Sequence, residues 1–206
     1  MSPLVHIVDH DEASHGGIES MLQANGYRTR VYIRPHDILH HHPSDTVASC
    51  VVIDTTAPDE SIPDILGLFS KASLALPVIF LTDKADVRVG VRAMKAGAED
   101  FFMKPFDPEE FIGAVDRAIS RQRLFHEQID WIRDNLARLE KLTKREREVL
   151  DLVVRGNINK QVAFTLGTTV RTIKAHRRKV MEKMQVHSIV ELASCAERLG
   201  LMRSIV

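Results

Sequence analysis

Thr143-Lys144-Arg145-Glu146-Arg147-Glu148-Val149-Leu150 and, further on, Thr169-Val170-Arg171-Thr172-Ile173-Lys174-Ala175-His176-Arg177-Arg178-Lys179-Val180 decide how the C-terminal third of this chain is read. Thr143 and Glu146 have the spacing of a capping box, which starts a helix with Val149, Leu150 and Val153 as its apolar face. Arg155-Gly156-Asn157 closes that helix, Asn159–Leu166 makes a short second one, and Gly167-Thr168 forms a turn. Thr169 is a good N-cap for a third helix reaching about Met184, with Val170, Ile173, Val180 and Met184 inward. Ser188 caps a last helix whose inward residues are Leu192, Ala193 and Ala196. Short helices joined by tight turns in this order form a helix-turn-helix frame. Outward on the third helix lie Arg171, Lys174, Ala175 and Arg178, a face almost wholly cationic. A DNA groove, walled by phosphates and floored by base edges, is the natural complement of such a face.

Charge divides along the same line. The 206 residues carry no net charge, but residues 1–120 hold 18 acidic and 10 basic side chains (net −8), and residues 121–206 hold 10 and 18 (net +8). That switch implies two modules with different partners, the basic one suited to a polyanion. Cys50 and Cys195 stand alone in separate apolar segments, which implies two reduced thiols and a cytoplasmic location. No basic lead with an apolar core opens the chain, and no apolar run approaches about 18 residues, so no membrane span is expected.

The first 120 residues alternate short aliphatic runs with helical patterns. The runs are Leu4–Val8, Tyr27–Ile33, Cys50–Ile53, Val78–Leu81 and Asp100–Met103; periodic stretches lie at about 12–25, 35–41, 62–72, 85–96 and 107–120. Five such units predict a doubly wound α/β module, with a five-stranded parallel sheet covered on both faces. Ligands of such sheets sit at the carboxyl ends of the strands. The residues there are Asp9 and His10, Asp54, Thr82 and Lys104, so carboxylates, a hydroxyl and an ammonium converge on a central Asp.

No Gly or Pro follows Gly113 until residue 140, so one long helix can run from the first module through a linker at 121–140 into an all-α module at 141–206. Phe125, Ile129, Ile132, Leu136 and Leu139 follow the 4-3-4-3 spacing of a heptad seam, with Ala118 and Gln122 as weaker positions. Two readings stay open: a seam that pairs two copies, or a stripe packed on its own domain.

Residues 142–184 resemble the LuxR-type helix-turn-helix of FixJ/NarL-family regulators, through Leu142-Thr143, Arg145-Glu146, Glu148-Val149-Leu150, Gly156, Asn159-Lys160, Val162-Ala163, Leu166, Val170, Thr172-Ile173-Lys174, His176 and Lys183-Met184. That resemblance implies Lys174, Ala175 and Arg178 at base edges, and Lys160, Thr172, Arg177, Lys179 and Lys183 at phosphates. His176 is read as packed or phosphate-facing. The first module resembles a response-regulator receiver, of the flavodoxin-like architecture, through Val51-Val52-Ile53-Asp54, Phe80-Leu81-Thr82-Asp83, Ala93 to Ala98 and Lys104-Pro105-Phe106. By that resemblance Asp54 accepts a phosphoryl group from a histidine kinase, Thr82 and Lys104 bind it, and Phe101 turns inward as the aromatic switch. The dimer face would include Val91, Lys95 and Phe101.

One position departs from the receiver pattern. Receivers place two adjacent carboxylates after the first strand to help hold Mg²⁺; here the pair is Asp9-His10. Magnesium demands oxygen ligands in near-octahedral array and takes imidazole poorly. Asp11 is shifted by one residue, and Ala57-Pro58 lacks the bulkier residue usual before that proline. His10 is compatible with three expectations: weakened Mg²⁺ binding with slow phosphorylation, a receiver set by something other than phosphorylation, or a protonated imidazole standing in for the cation. Elsewhere, His36 and His40 have chelating i, i+4 spacing beside His41 and His42, though a solvated helix end fits better, and His6 is expected in or near the core. Asp54, Thr82 and Lys104 also match haloacid-dehalogenase-type phosphatases loosely. Those need a second Asp two residues after the nucleophile as general acid, where this chain has Thr56, so the expectation is not an enzyme.

Overall fold

A computed structural model of the chain describes residues 2–10, 12–40, 47–55, 62–72, 75–83 and 87–202, leaving out the side chains of residues 12–15 and 87. Ala57-Pro58, Thr56, Asp11, His41 and His42 lie outside the described positions. The chain forms two compact units, Met1–Glu127 and Gln128–Val206.

The first unit is a parallel sheet in the order β2-β1-β3-β4-β5, built from β1 (Leu4–Val8), β2 (Arg28–Tyr32), β3 (Ser49–Asp54), β4 (Val78–Thr82) and β5 (Asp100–Met103). Helices α1 (Glu12–Ala24), α2 (Asp37–His40), α3 (Ile62–Lys71), α4 (Val87–Ala96) and the start of α5 (Pro108–Glu140) alternate with the strands. Side-chain alternation divides the core in two. Val5, Ile7, Cys50, Val52, Ile79 and Leu81 join α1 and α5 on one face. Val8, Val51, Ile53, Val78 and Phe80 join α3 on the other. Strands buried on both faces have to be aliphatic throughout, which is why β3 and β4 read as unbroken apolar runs.

β2 is shorter than the apolar run around it. Its ladder ends where Val8 pairs with Tyr32, so Ile33 has no strand to join and is 65% exposed; Tyr27 packs its ring into the core before the strand begins. His6 meets its expectation: it is buried on β1, with Nδ1 3.0 Å from the Tyr32 hydroxyl. Burial first, and then the Arg30 charge, push its pKa down to about 4, so the ring is neutral near pH 7.

The second unit holds the C-terminal part of α5 and α6 (Lys144–Val154), α7 (Asn159–Thr165), α8 (Val170–Met184) and α9 (Ile189–Arg198). Val149, Leu150, Val153, Val162, Ile173, Val180, Met184 and Leu192 form one core, as their spacing predicts. Val170 does not join them; at the first turn of α8 it stays 37% exposed.

Residues 121–140 continue α5, the one long helix that the absence of Gly and Pro after Gly113 allows, and the heptad stripe along it has more than one fate. Ala118 and Gln122 are buried in the first unit, where Gln122 Nε2 donates to the Ala75 carbonyl at 3.3 Å. Leu139 is buried in the core of the second unit, against its expected place on a dimer face: the C-terminal helices cover it already. Phe125, Ile129, Ile132 and Leu136 remain 38–47% exposed.

Candidate functional site

In the first unit, β1, β3, β4 and β5 end side by side, and the sheet's register brings four sequence-predicted residues together. Asp9, Asp54 and Thr82 are buried at 3%, 4% and 2% exposure, and His10 is exposed. Backbone bonds fix the strand ends: the Lys104 amide donates to the Thr82 carbonyl at 2.8 Å, and the Thr55 amide donates to the Leu81 carbonyl at 2.9 Å. Lys104 reaches back to form an ion pair with Asp54. Burial alone pushes the Lys104 ammonium down, but the bond it donates to Asp54 and the charges of Asp54, Asp83 and Asp9 outweigh burial and raise it. Asp83, one residue past the expected Thr82, is thus part of the electrostatic site; only its position beside a strand end hinted at that.

Chemically this is a buried carboxylate paired with a cation, with a hydroxyl residue on the adjacent strand end. Its donor set fits Mg²⁺ poorly, because the residue after Asp9 offers an imidazole and points to solvent. No group of three or more metal-ligating side chains occurs among the described residues. His36 and His40 are exposed with ring centroids 5.8 Å apart, a pair of rings rather than a completed site.

Phe101 is half-buried on β5, packed against the α3–α4 side of the core. Its seat is Gly90 on α4: a methyl group there would lie 3.1 and 3.2 Å from Cδ1 and Cε1 of the ring. Glycine to alanine inside a helix ordinarily stabilises by up to about 1 kcal/mol. Here overpacking opposes that gain, so Gly90→Ala is expected to destabilise the first unit by about 1 kcal/mol in urea unfolding. A variant more stable than wild type would show that the Phe101 ring gives way to the added methyl group. Val91 and Lys95 on the same helix are exposed, Val91 at 48%.

In the second unit α8 is set by local chemistry at both ends. Thr169 Oγ1 accepts the Thr172 amide at 3.2 Å, and Gln185 closes the helix in the left-handed region at φ 55°. Lys174, Ala175, Arg178 and Lys179 are exposed along it, as is Lys160 on α7. Thr172 Oγ1 lies 2.9 Å from Thr169 Oγ1. His176 is half-buried, and its Nδ1 has no hydrogen-bond partner among the described residues.

Two of the expected phosphate-contacting residues are engaged within the domain. Lys183 Nζ pairs with Glu146 Oε2 at 2.6 Å and donates to the Lys141 carbonyl at 3.0 Å. It is a fastener between α8 and the start of α6, not a free cation. Arg177 is half-buried and donates to Asn159 Oδ1, tying α8 to α7. Glu146 is the hub that the sequence showed only in part. Besides Lys183, it accepts the Thr143 amide at 2.9 Å, while its own amide donates to Thr143 Oγ1 at 3.3 Å. The Lys183 bond, then the Thr143 amide, hold its carboxyl at about 2 against a burial effect that raises it.

These two sites define a class: a parallel sheet ending in a buried Asp–Lys pair, followed in the chain by a cationic helix-turn-helix. Comparison with known proteins gives the same answer. Residues 5–116 match the response regulator receiver domain and residues 140–196 match the bacterial regulatory proteins of the luxR family. The chain is 36% identical to the transcriptional regulatory protein FixJ of Rhizobium meliloti over 192 residues, covering 93% of this chain and 94% of that one. It is 33% identical to the response regulator TmoT of Ectopseudomonas mendocina, covering 95% and 89%. Among solved structures, the response regulator StyR superposes with a TM-score of 0.81 at 30% identity, covering 96% of this chain and all of that one. The chain belongs to the response regulators with a LuxR-type DNA-binding domain, and is a transcriptional regulator. Among the described residues no helix is long and apolar enough to cross a membrane.

Proposed function

We propose that this response regulator grips two half-sites of duplex DNA as a homodimer, and that His10 leaves its receiver impaired in Mg²⁺-dependent phosphorylation at Asp54. In the DNA-bound form Lys174, Ala175 and Arg178 address base edges, while Lys160, Thr172 and Lys179 hold phosphates. The exposed row of Lys174 and Arg178 on a helix capped at both ends is the observation that carries the DNA reading. Helix-turn-helix proteins enter the major groove with the N-terminal part of the second helix, and dimers space two such helices by one turn of DNA.

The free part of the α5 stripe, Phe125 to Leu136, covers about 18 Å of helix. That is under two full heptads, whereas stable coiled coils run to three or four. The stripe therefore assists a dimer rather than making one, and a second surface has to contribute. Exposed Val91 and Lys95 on α4 supply it in this reading, which puts the receiver in control of pairing. A histidine kinase is the partner that the family implies.

The acceptor, hydroxyl and ammonium residues Asp54, Thr82 and Lys104 favour a second reading, in which the receiver is phosphorylated conventionally but binds Mg²⁺ weakly. Intact-mass measurement after incubation with acetyl phosphate and Mg²⁺ separates the two. Wild type is expected to stay unmodified at ordinary Mg²⁺ concentrations, and His10→Asp to gain the mass of one phosphoryl group. Neighbours of metal ligands alone change metal affinity by 10- to 100-fold, so restoring a ligand should raise uptake by at least about tenfold. Full uptake by wild type would refute the impairment.

A further inference from the structure

Glu182 is the one carboxylate in α8, whose other ionisable residues are Arg171, Lys174, His176, Arg177, Arg178, Lys179 and Lys183. It is paired. Arg178 Nε donates to Glu182 Oε1 at 2.8 Å, one turn along the same helix, and the two side chains are 83% and 58% exposed. As a stabilising contact this pair is worth little, because exposed i, i+4 pairs contribute only tenths of a kcal/mol. As a charge on a helix facing DNA it is unfavourable, since a carboxylate repels the phosphates that the neighbouring cations attract.

What the pair does achieve is geometric. A guanidinium carries five N–H donors in a rigid plane, one on Nε and four on the two terminal nitrogens. Tying the Nε–H to Glu182 fixes the plane and consumes the side edge, leaving the terminal Nη fork as the edge that can be presented. Two parallel N–H donors on a fork match the O6 and N7 acceptors of guanine in the major groove. Lys174, the other cation expected at base edges, lines the same open groove as Arg178 and Glu182, so the buttressed fork and Lys174 share one side of α8.

We infer that Glu182 is a positioning residue for base reading: it holds Arg178 end-on for a guanine and, by its charge, weakens binding to all other sequences. This rests on the DNA-reading assignment of α8. A carboxylate that served only as a repelling charge would change affinity for every duplex alike, whereas a buttress changes preference at one base position.

The experiment selects binding sites for the full-length chain from a randomised duplex library, and in parallel measures affinity for one non-specific duplex across a salt series. Wild type should enrich a motif with a guanine whose preference is lost in Arg178→Ala. Glu182→Ala should lower the preference for that same guanine by about twofold. It should also tighten non-specific binding and steepen the salt dependence by up to about one phosphate contact. Glu182→Gln, which keeps an oxygen acceptor without the charge, should give the same non-specific gain yet retain the guanine preference. Unchanged guanine preference in Glu182→Ala, or an equal loss of preference in Glu182→Gln, overturns the buttress while leaving the DNA reading intact. If wild type enriches no sequence at all, the base-reading assignment itself fails, a result that the Glu182 variants cannot imitate.

Discussion

Glu146→Ala is expected to destabilise the C-terminal unit by about 2–3 kcal/mol, because it removes the carboxylate that accepts the charge-assisted bond of Lys183 and the Thr143 amide. The same change dissolves the capping box at the start of α6, a contribution of about 1 kcal/mol within that sum. For a unit of this size each kcal/mol shifts the midpoint by roughly 4–8 °C, so thermal unfolding should drop by roughly 10–20 °C. Glu146→Gln, which can still accept the Thr143 amide, should fall between wild type and Glu146→Ala. The carboxyl is held at about 2 against an ordinary value of 4.5, so its folded-state pKa is depressed. Its stabilisation is therefore complete above about pH 4.5 and is lost as pH falls from there toward about 2. Thermal melts of wild type and Glu146→Gln across that window check the sign: the wild-type advantage should shrink with acid, and an advantage that grows would refute the assignment.

Arg178→Ala and Lys160→Ala are expected to damage DNA binding in different ways. Arg178 is placed as a base reader, and one bidentate contact to guanine discriminates by about 1–3 kcal/mol. Its removal should cut the ratio of specific to non-specific affinity by about tenfold or more. Lys160, exposed at the start of α7, is placed at a phosphate, so its loss should weaken binding to every sequence alike and reduce the salt slope by about one. Titrations of operator and scrambled duplexes at several salt concentrations separate the two. Equal loss of discrimination in both variants would contradict the division of roles.

Much of this molecule is legible in its residues. Most local patterns carry through; Val170 is the exception, its helical spacing placing it inward while the first turn of α8 leaves it 37% exposed. The aliphatic runs of β3 and β4, the capping box of Thr143 with Glu146, and the N-caps Thr169 and Ser188 all act within a few residues of chain. Strand-end positions of Asp9, Asp54, Thr82 and Lys104 were also readable, because parallel topology leaves few ways to order five such strands. The other failures depend on partners distant in sequence. Lys183 looks like one more cation on a basic helix, and nothing in its neighbourhood reveals that Glu146, 37 residues earlier, already holds it. Arg177 is likewise claimed by Asn159 on another helix. Leu139 continues the heptad spacing faithfully, but spacing states only that a side chain will be covered. It cannot tell a second copy from the chain's own α6–α9 core. The extra residues read into β2 have the same origin: Ile33 is as apolar as a strand residue should be, and only the end of the β1 ladder leaves it outside.

The most direct test of the account is the stoichiometry and footprint of the full-length protein on a selected duplex. Two copies per duplex, protecting two half-sites whose centres lie about one helical turn apart, with both protections lost in a Lys174→Ala, Arg178→Ala double variant that still melts like wild type, is the expected result. A single copy bound to one site, or protection that survives the loss of both side chains, would contradict it.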